Sequence, residues 1–355
     1  MKVCIVAANN LRYSPYLYFY SEILERLTID YDIIVPNRDK KIDEQFAENV
    51  IPLKWNNNLP GVFNYFCYSR KVKRICKKNY DFVIVLTTIN AVCSLDWLIK
   101  KFNRRYIVDV RDYTCEKYAF FRKLEQILFS HSLLNVISST AFKTFLPESD
   151  YCVAHNITTP LEVPKHKFEK NKEHIVIGYV GSIGYASKCE KLMDMVNTDS
   201  RFSFHFYGNG PDKERLQEYV KEHNYDTDRI IFWGAYTQNE KGKIIKSVDI
   251  LFNCYGNGSE LVRCALSNKL YDGMFYHKPI LNSTGTYMDD VCGKMSFSMT
   301  FNEKDELEAL WQWYQGLNNN EIDMFADDLY NSFLDESKTT IDIIEKKLTE
   351  CAKDI

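Results

Sequence analysis

Ser267-Asn268-Lys269-Leu270-Tyr271-Asp272-Gly273-Met274-Phe275-Tyr276-His277-Lys278-Pro279-Ile280 reads as a short helix, a Lys-Pro-Ile turn and the start of an apolar strand. A helix delivered straight into a strand is one unit of an α/β protein, and its repetition decides the fold. Within the helix, Lys269 and Asp272 stand three positions apart and project from one face. A cation beside a carboxylate suits a nucleotide sugar, whose diphosphate needs positive charge and whose ribose hydroxyls need an acceptor. An exposed ion pair on a surface helix accounts for the same two residues equally well.

Outward from this stretch the unit repeats. On the amino-terminal side, strands are expected at 174–181, 202–207, 229–232, 248–253 and 279–282. Helices fall between them at 187–197, 211–222, 238–247 and 262–276, and further helices follow at 303–315, 321–332 and 337–353. A second set lies further upstream, with strands at 2–8, 31–35, 81–86, 105–110 and 134–137 and helices at 16–27, 62–78, 90–102 and 118–130. Strands alternating with amphipathic helices predict a parallel sheet covered by helices. Between the two sets, residues 156–173 carry two prolines and then a charged run without periodicity, which marks a linker. Two doubly wound domains, 1–160 and 174–335, are therefore expected, with ligands at the carboxyl ends of their strands.

Composition fits a folded chain of two domains. The 355 residues are enough for a large buried core, and no uninterrupted apolar run reaches membrane-spanning length. The apolar start, Lys2 to Ala8, is too short for a signal peptide and reads as a buried strand. Eleven scattered cysteines without a Cys-x-x-Cys pair argue for reduced thiols in the cytoplasm and against structural zinc. Residues 1–165 carry 23 Lys+Arg against 17 Asp+Glu, and the remainder 22 against 31, so the halves differ in surface charge. No single basic patch with stacking aromatics stands out, which disfavours nucleic acid. Gly61 alone precedes Gly178, and thirteen glycines follow, so the second half looks built to bring backbone close to a ligand.

Three loops of that half sit at strand ends. The first runs Gly178-Tyr179-Val180-Gly181-Ser182-Ile183-Gly184-Tyr185-Ala186-Ser187-Lys188, from a strand into a helix, where N–H groups and the positive helix end favour an anion. Lys188 adds a charge. The glycine spacing is not that of a dinucleotide fingerprint, and no acidic residue ends the next strand, so NAD is disfavoured. The second, Gly208-Asn209-Gly210-Pro211, is a sharp turn or a ligand loop. The third, Asn253 to Arg263, places Ser259 as a helix cap. Arg263, six residues before Lys269, reaches the same diphosphate if the helix is continuous, or else pairs with Glu260 one turn earlier.

These loops, in this order, resemble the GT-B-fold glycosyltransferases, specifically glycosyltransferase family 4 and the capsule and lipopolysaccharide enzymes around it. The resemblance covers nearly the whole chain and is strongest from Ile177 to Ser283. Tyr179-Val180-Gly181-Ser182 looks like the family's first glycine loop, and Gly208-Asn209-Gly210-Pro211 like its Gly-x-Gly-Pro turn. Phe232-Trp233-Gly234 resembles its short strand near the base. Asn268-Lys269-Leu270-Tyr271-Asp272 with Lys278-Pro279-Ile280 is similar to its sugar-nucleotide helix and following strand. Two departures stand out. The family's paired glutamates, eight positions apart, fall on Cys264 and Asp272, and the arginine that follows its first loop glycine is Ser182.

The resemblance implies two Rossmann-like domains facing a central cleft, with a C-terminal helix, 336–355, crossing back to the first domain. It implies a metal-independent hexosyltransferase that retains anomeric configuration and uses a nucleotide-diphosphate sugar, UDP being one carrier, with no further cofactor. Gly181, Ser182, Lys188, Gly208, Asn209, Gly210, Glu260, Arg263, Lys269, Leu270 and Asp272 would hold the donor. Lys269, Arg263, Lys188 and the N–H groups around Gly181 would also take up the leaving-group charge. No metal is required if these cations do that work, and no Asp-x-Asp motif is expected to hold one.

In the first half, Tyr106-Ile107-Val108-Asp109-Val110-Arg111-Asp112-Tyr113 puts charge at the carboxyl end of a strand. It is similar to an acceptor-side segment of some family members, while Asp109 and Arg111 equally suit a structural pair. If the enzyme inverts, Asp112 or Asp109 is the candidate base. Asn10 and Ser14, in the loop after the first strand, and Arg111 are assigned to the acceptor side. Residues 62–78 join aromatics to a basic cluster, which fits contact with the inner face of the plasma membrane or an ordinary solvated helix. The acceptor implied is a glycan or a polyprenyl-diphosphate-linked sugar of surface polysaccharide. Two rivals stand beside this reading: a nucleotide-sugar epimerase or hydrolase of the same fold, and a catalytically inactive partner protein.

Overall fold

A computed structural model describes residues 1–11, 14, 16–38, 49–56, 58–157, 166–171, 173–302 and 305–353. Half of the expected linker at 156–173, and Arg12, Tyr13 and Pro15 of the first loop, lie outside the described residues. The chain divides into two units, Met1–Thr158 with Leu334–Ile355, and Thr159–Phe333.

The first unit holds strands β1 (Lys2–Val6), β2 (Asp30–Asn37), β3 (Val50–Lys54), β4 (Phe82–Leu86), β5 (Tyr106–Val110), β6 (Leu134–Ile137) and β7 (Cys152–Val153). Its helices are α1 (Leu17–Arg26), α2 (Gly61–Asn79), α3 (Thr88–Val92), α4 (Leu95–Phe102) and α5 (Ala119–His131). The sheet order is β3-β2-β1-β4-β5-β6-β7, and each pairing is parallel. Helices on both faces bury β4 and β5 completely, which is why Phe82-Val83-Ile84-Val85-Leu86 is apolar without alternation. The helix expected at 90–102 is two, α3 and α4, parted at Cys93-Ser94.

The second unit holds β8 (Ile175–Val180), β9 (Phe202–Tyr207), β10 (Ile230–Gly234), β11 (Ile250–Asn253), β12 (Ile280–Ser283) and β13 (Ser296–Met299). Its helices are α6 (Ala186–Thr198), α7 (Lys213–Glu222), α8 (Gln238–Ser247), α9 (Glu260–Cys264), α10 (Asn268–Phe275), α11 (Tyr287–Cys292), α12 (Glu306–Gly316) and the first part of α13 (Asn319–Lys353). The order is β10-β9-β8-β11-β12-β13, again parallel throughout. Here the core is aromatic. Phe202, Phe204 and Phe206 alternate along β9 onto one buried face, and the Phe206 ring stacks on Phe232 at 4.4 Å.

Two helices expected near the carboxyl end are one. α13 runs 35 residues, and from Leu334 onward it belongs to the first unit, where Ile344 and Leu348 join the core of β1 and β4. Among the described residues no helix is long and apolar enough to cross a membrane. All eleven cysteines are free thiols.

Candidate functional site

Strand order reverses between β8 and β11, neighbours in the second sheet although β9 and β10 lie between them in sequence. Loops that leave such a switch point diverge and open a crevice. A cavity of about 580 Å³ lies there. Gly181, Ser182 and Tyr185 border it from the loop after β8, and Tyr255 from the loop after β11. Tyr236 and Lys241 come from α8 and the loop before it, and Asn268, Lys269 and Asp272 from α10.

Lys269 and Asp272 are not an exposed ion pair. Both are buried, at 6% and 3% exposure, and each has another partner. The Lys269 ammonium donates to the Tyr255 hydroxyl at 2.6 Å and lies 4.4 Å from the Tyr179 ring centre and 5.0 Å from that of Tyr255. Tyr185 stacks on Tyr255 at 4.4 Å, held by a left-handed backbone at φ 59°. Among the described residues Lys269 has no carboxylate partner. Asp272 pairs instead with Lys241 at 2.7 Å. Burial holds the Asp272 carboxyl above its ordinary range, against the pull of Lys241 and Lys269. Lys241 is placed by a capping box, Thr237 with Glu240, that starts α8. Burial also pushes the Tyr236 hydroxyl up to about 12, with Asp272 adding to the shift.

The first glycine loop differs from the expected anion site. Gly181 N–H donates to Tyr207, Ile183 N–H to Asn209 and Gly184 N–H to the Tyr179 hydroxyl. The first N–H of α6, on Ala186, donates to the Asp212 carboxylate at 3.0 Å. The helix end already has an anion, and it belongs to the chain. The Gly208-Asn209-Gly210 turn is structural. A Cβ on Gly208, at φ +136°, would run into the Gly181 carbonyl, and one on Gly210 into Ile183. Asn209 accepts from Lys213 at the surface.

Four further expected donor residues, Lys188, Glu260, Arg263 and Leu270, lie outside the cavity lining. Arg263 pairs with Glu260 on α9, and the helix stops at Cys264 before α10 begins at Asn268. The condition for Arg263 and Lys269 to share a diphosphate, one continuous helix, is not met. The Lys188 ammonium sits 5.0 Å over the Phe301 ring. Leu270 is a core residue at 0% exposure, and Trp233, expected near the base, stacks on Tyr207. Two Asp-x-Asp sequences do exist, Asp30-Tyr31-Asp32 and Asp226-Thr227-Asp228. Asp32 bridges Lys2 and Asp226 bridges Arg229, and neither lines the cavity.

In the first unit, Arg111 holds Asp109 through two bonds of 2.6 and 2.7 Å and donates to the Ala154 carbonyl at 2.9 Å. Asp109 has 0% exposure, so the pair is internal and Asp109 is out of reach as a base. Asp112 is exposed on the bend after β5, and desolvation by the surrounding protein raises its carboxyl against the pull of Arg111. Asn10 accepts from the Arg38 backbone at 3.0 Å, and Ser14 is buried with Tyr16 beside it.

Sequence reasoning missed Lys241, Tyr236, Asp212 and the Tyr185–Tyr255 stack. Only the two tyrosines of the stack carried a local signal, each a large aromatic inside a glycine-rich loop.

No protein-family model matches this sequence, and no curated protein is significantly similar to it. Solved structures do share its architecture. Anabaena HepE in complex with UDP is 12% identical, with a TM-score of 0.68 over 100% of both chains. The lipopolysaccharide outer core galactosyltransferase WaaB is 14% identical, at 0.66 over 98% of this chain and 100% of that one. A candidate UDP-N-acetylglucosamine 2-epimerase from Listeria monocytogenes is 9% identical, at 0.60 over 92% and 90%. Identities this low speak for the fold, and the fold is GT-B: two Rossmann-like α/β domains, each on its own parallel sheet.

Proposed function

We propose that this protein is a glycosyltransferase that moves a sugar from a nucleotide-diphosphate donor to a glycan or polyprenyl-diphosphate-linked acceptor. The setting would be cytoplasmic assembly of a surface polysaccharide of capsule or lipopolysaccharide type. One observation carries the reading. Lys269 keeps a buried ammonium in the switch-point cavity against Tyr255 and Tyr179, with no ion pair of its own among the described residues and Asp272, already paired with Lys241, acting on it only at longer range. A buried cation without a directly paired counter-ion is costly, and an anionic ligand relieves that cost. A diphosphate set against Lys269 brings the ribose toward the Lys241–Asp272 pair, where the free lone pairs of Asp272 accept hydroxyl hydrogens. UDP is favoured as carrier by the UDP complex of Anabaena HepE.

Transfer breaks the bond between the anomeric carbon and the diphosphate oxygen. Negative charge grows on that oxygen, and Lys269 stabilises it more in the transition state than in the ground state. The charge is taken up by side chains, so the mechanism is metal-independent. In retention the new bond forms from the acceptor oxygen to the anomeric carbon while the acceptor's proton passes to the departing diphosphate oxygen, so no external base is needed, whereas an inverting reaction would pass that proton to Asp112. Asn10, Ser14 and Arg111 shape the acceptor side, Arg111 through Asp109.

The test is a donor panel of UDP-, GDP-, ADP- and CMP-sugars with product mass spectrometry. The expected result is transfer or slow hydrolysis of one nucleoside-diphosphate sugar. A second reading, epimerase or hydrolase, is favoured only by the likeness to the Listeria protein. It predicts turnover at full rate without an acceptor. Titration that detects no nucleotide diphosphate at all would sink both.

A further inference from the structure

Tyr255 has one hydrogen to spare. An ammonium can only donate, so the Tyr255 oxygen accepts from Lys269, at 2.6 Å, and its own O–H points elsewhere. Among the described residues that hydrogen has no acceptor, although the side chain is half-buried and borders the switch-point cavity. The ring has little freedom, because Tyr185 stacks on it at 4.4 Å with the two planes 21° apart. Tyr185 keeps that place from a left-handed backbone, φ 59° and ψ 44°. Such a conformation is unfavourable for a bulky side chain and persists where the surroundings enforce it. Tyr185 is also the residue before α6, a position that favours a small polar cap, and its side chain caps nothing. It is 43% exposed, so the strain secures the ring stack and not burial. Beside the Lys269–Tyr255 pair there is room. A Cβ placed on Gly181 would meet nothing within 4 Å except the Lys269 ammonium, at 3.9 Å.

We infer that Tyr255 is a second catalytic residue beside Lys269, its O–H donating to an oxygen of the leaving diphosphate, and that Tyr185 is the positioning residue that aims it. An oxygen seated against the ammonium over Gly181 is within reach of both groups, because the two donors are themselves one hydrogen-bond length apart. The hydroxyl is neutral, so it meets growing negative charge without adding to the positive charge already buried there. Tyr255 keeps its proton throughout. It contributes a hydrogen bond that strengthens as charge develops, and it makes and breaks no covalent bond. The inference rests on the donor reading above and deepens it.

The experiment is steady-state turnover of the sugar nucleotide that the donor panel identifies, with calorimetry on its nucleoside diphosphate and a thermal melt of each variant. Tyr255→Phe keeps the ring and the stack and removes one hydroxyl. It should lower kcat about ten- to a hundred-fold, as expected for a hydrogen bond to a charged group. Donor KM should change less, and the melt should stay close to native. The same factor should be lost when Tyr255→Phe is added to Lys269→Met, because the hydroxyl touches the diphosphate itself. A loss seen only while Lys269 is present would mean that Tyr255 merely holds the ammonium, and would overturn the inference. Tyr185→Ser should lose much of the same factor, Tyr185→Phe should recover most of it, and Tyr185→Ser should cost little more once Tyr255 is phenylalanine. An equal cost with and without the Tyr255 hydroxyl would remove Tyr185 from its positioning role. Native kcat in Tyr255→Phe would overturn the inference and leave the donor reading standing. A native chain that turns over no donor and binds no nucleoside diphosphate would instead sink the donor reading, and the inference with it.

Discussion

Replacing Lys269 with methionine tests the proposed donor site at the residue it depends on most. The native ammonium is 6% exposed and 2.6 Å from the Tyr255 hydroxyl, with the Tyr179 ring beneath it. Methionine keeps the unbranched stem and its packing while removing the charge. At about 4 Å from a phosphate, with an effective dielectric near 20, the lost attraction is about 4 kcal/mol. Removing a single preorganised donor elsewhere costs about 3–4 kcal/mol. The expected loss is therefore about a hundred- to a thousand-fold in kcat, with a smaller change in donor KM, because leaving-group charge peaks in the transition state. Stability should hardly move. The cation–π and hydroxyl contacts are lost, about 1–2 kcal/mol, but so is the desolvation cost of a buried ammonium. The assay is steady-state transfer with the donor found in the panel, beside urea unfolding. A methionine variant that transfers within ten-fold of native, at an unchanged unfolding midpoint, refutes the reasoning.

Lys241→Met should destabilise the fold by about 3–5 kcal/mol, since it strands the buried Asp272 carboxylate. Adding Asp272→Asn should restore most of that in urea unfolding, and strictly additive effects would show that the two are uncoupled. Gly208→Ala puts a Cβ against the Gly181 carbonyl at a backbone angle of +136°, so a loss of at least about 2 kcal/mol is expected. An alanine variant as stable as native would mean the two loops do not approach so closely. Burial, with the neighbouring Glu116 carboxylate, pushes the Glu125 carboxyl up to about 9 from an ordinary 4.5. Between those values the folded chain keeps a proton that the unfolded chain has released, so stability falls as pH rises across that window. Glu125→Gln should match native near the lower end and exceed it by a few kcal/mol near the upper end; parallel unfolding curves across pH would contradict the burial.

Local patterns made the architecture legible because both sheets are internal. Phe82-Val83-Ile84-Val85-Leu86 can be little but a strand covered on both faces. The strands that escaped notice are edges. β3 contains Pro52, which argues against a strand wherever both sides must pair, but β3 ends the sheet and pairs only with β2. β13 closes the other sheet with two serines in four residues. The break between α9 and α10 was hidden for another reason. Ser267 is a good cap residue by type, but its hydroxyl donates to Asn253 at 2.7 Å and caps nothing, so the boundary is fixed by tertiary contact.

The site follows the same division more sharply. Lys269, Asp272, Gly181 and Ser182, all named from sequence, line one cavity, since strand ends at a switch point must converge. It could not assign their partners, because Lys241 lies 31 residues from Asp272 and Tyr255 lies 14 from Lys269. The partners change the chemistry. A glycine loop opening a helix suggests phosphate bound by backbone N–H groups, yet Asp212 occupies the first of those on α6 and other acceptors take those of Gly181, Ile183 and Gly184. A diphosphate entering this cavity would therefore meet side-chain charge first. Asp212 would repel it from the helix end and Lys269 would attract it, so under the proposed function the two together would fix which end of the cavity the leaving group takes. Asp212→Asn should then tighten nucleoside diphosphate binding in calorimetry, while Lys269→Met weakens it. If Asp212→Asn instead weakens binding, the helix end is where the phosphate belongs.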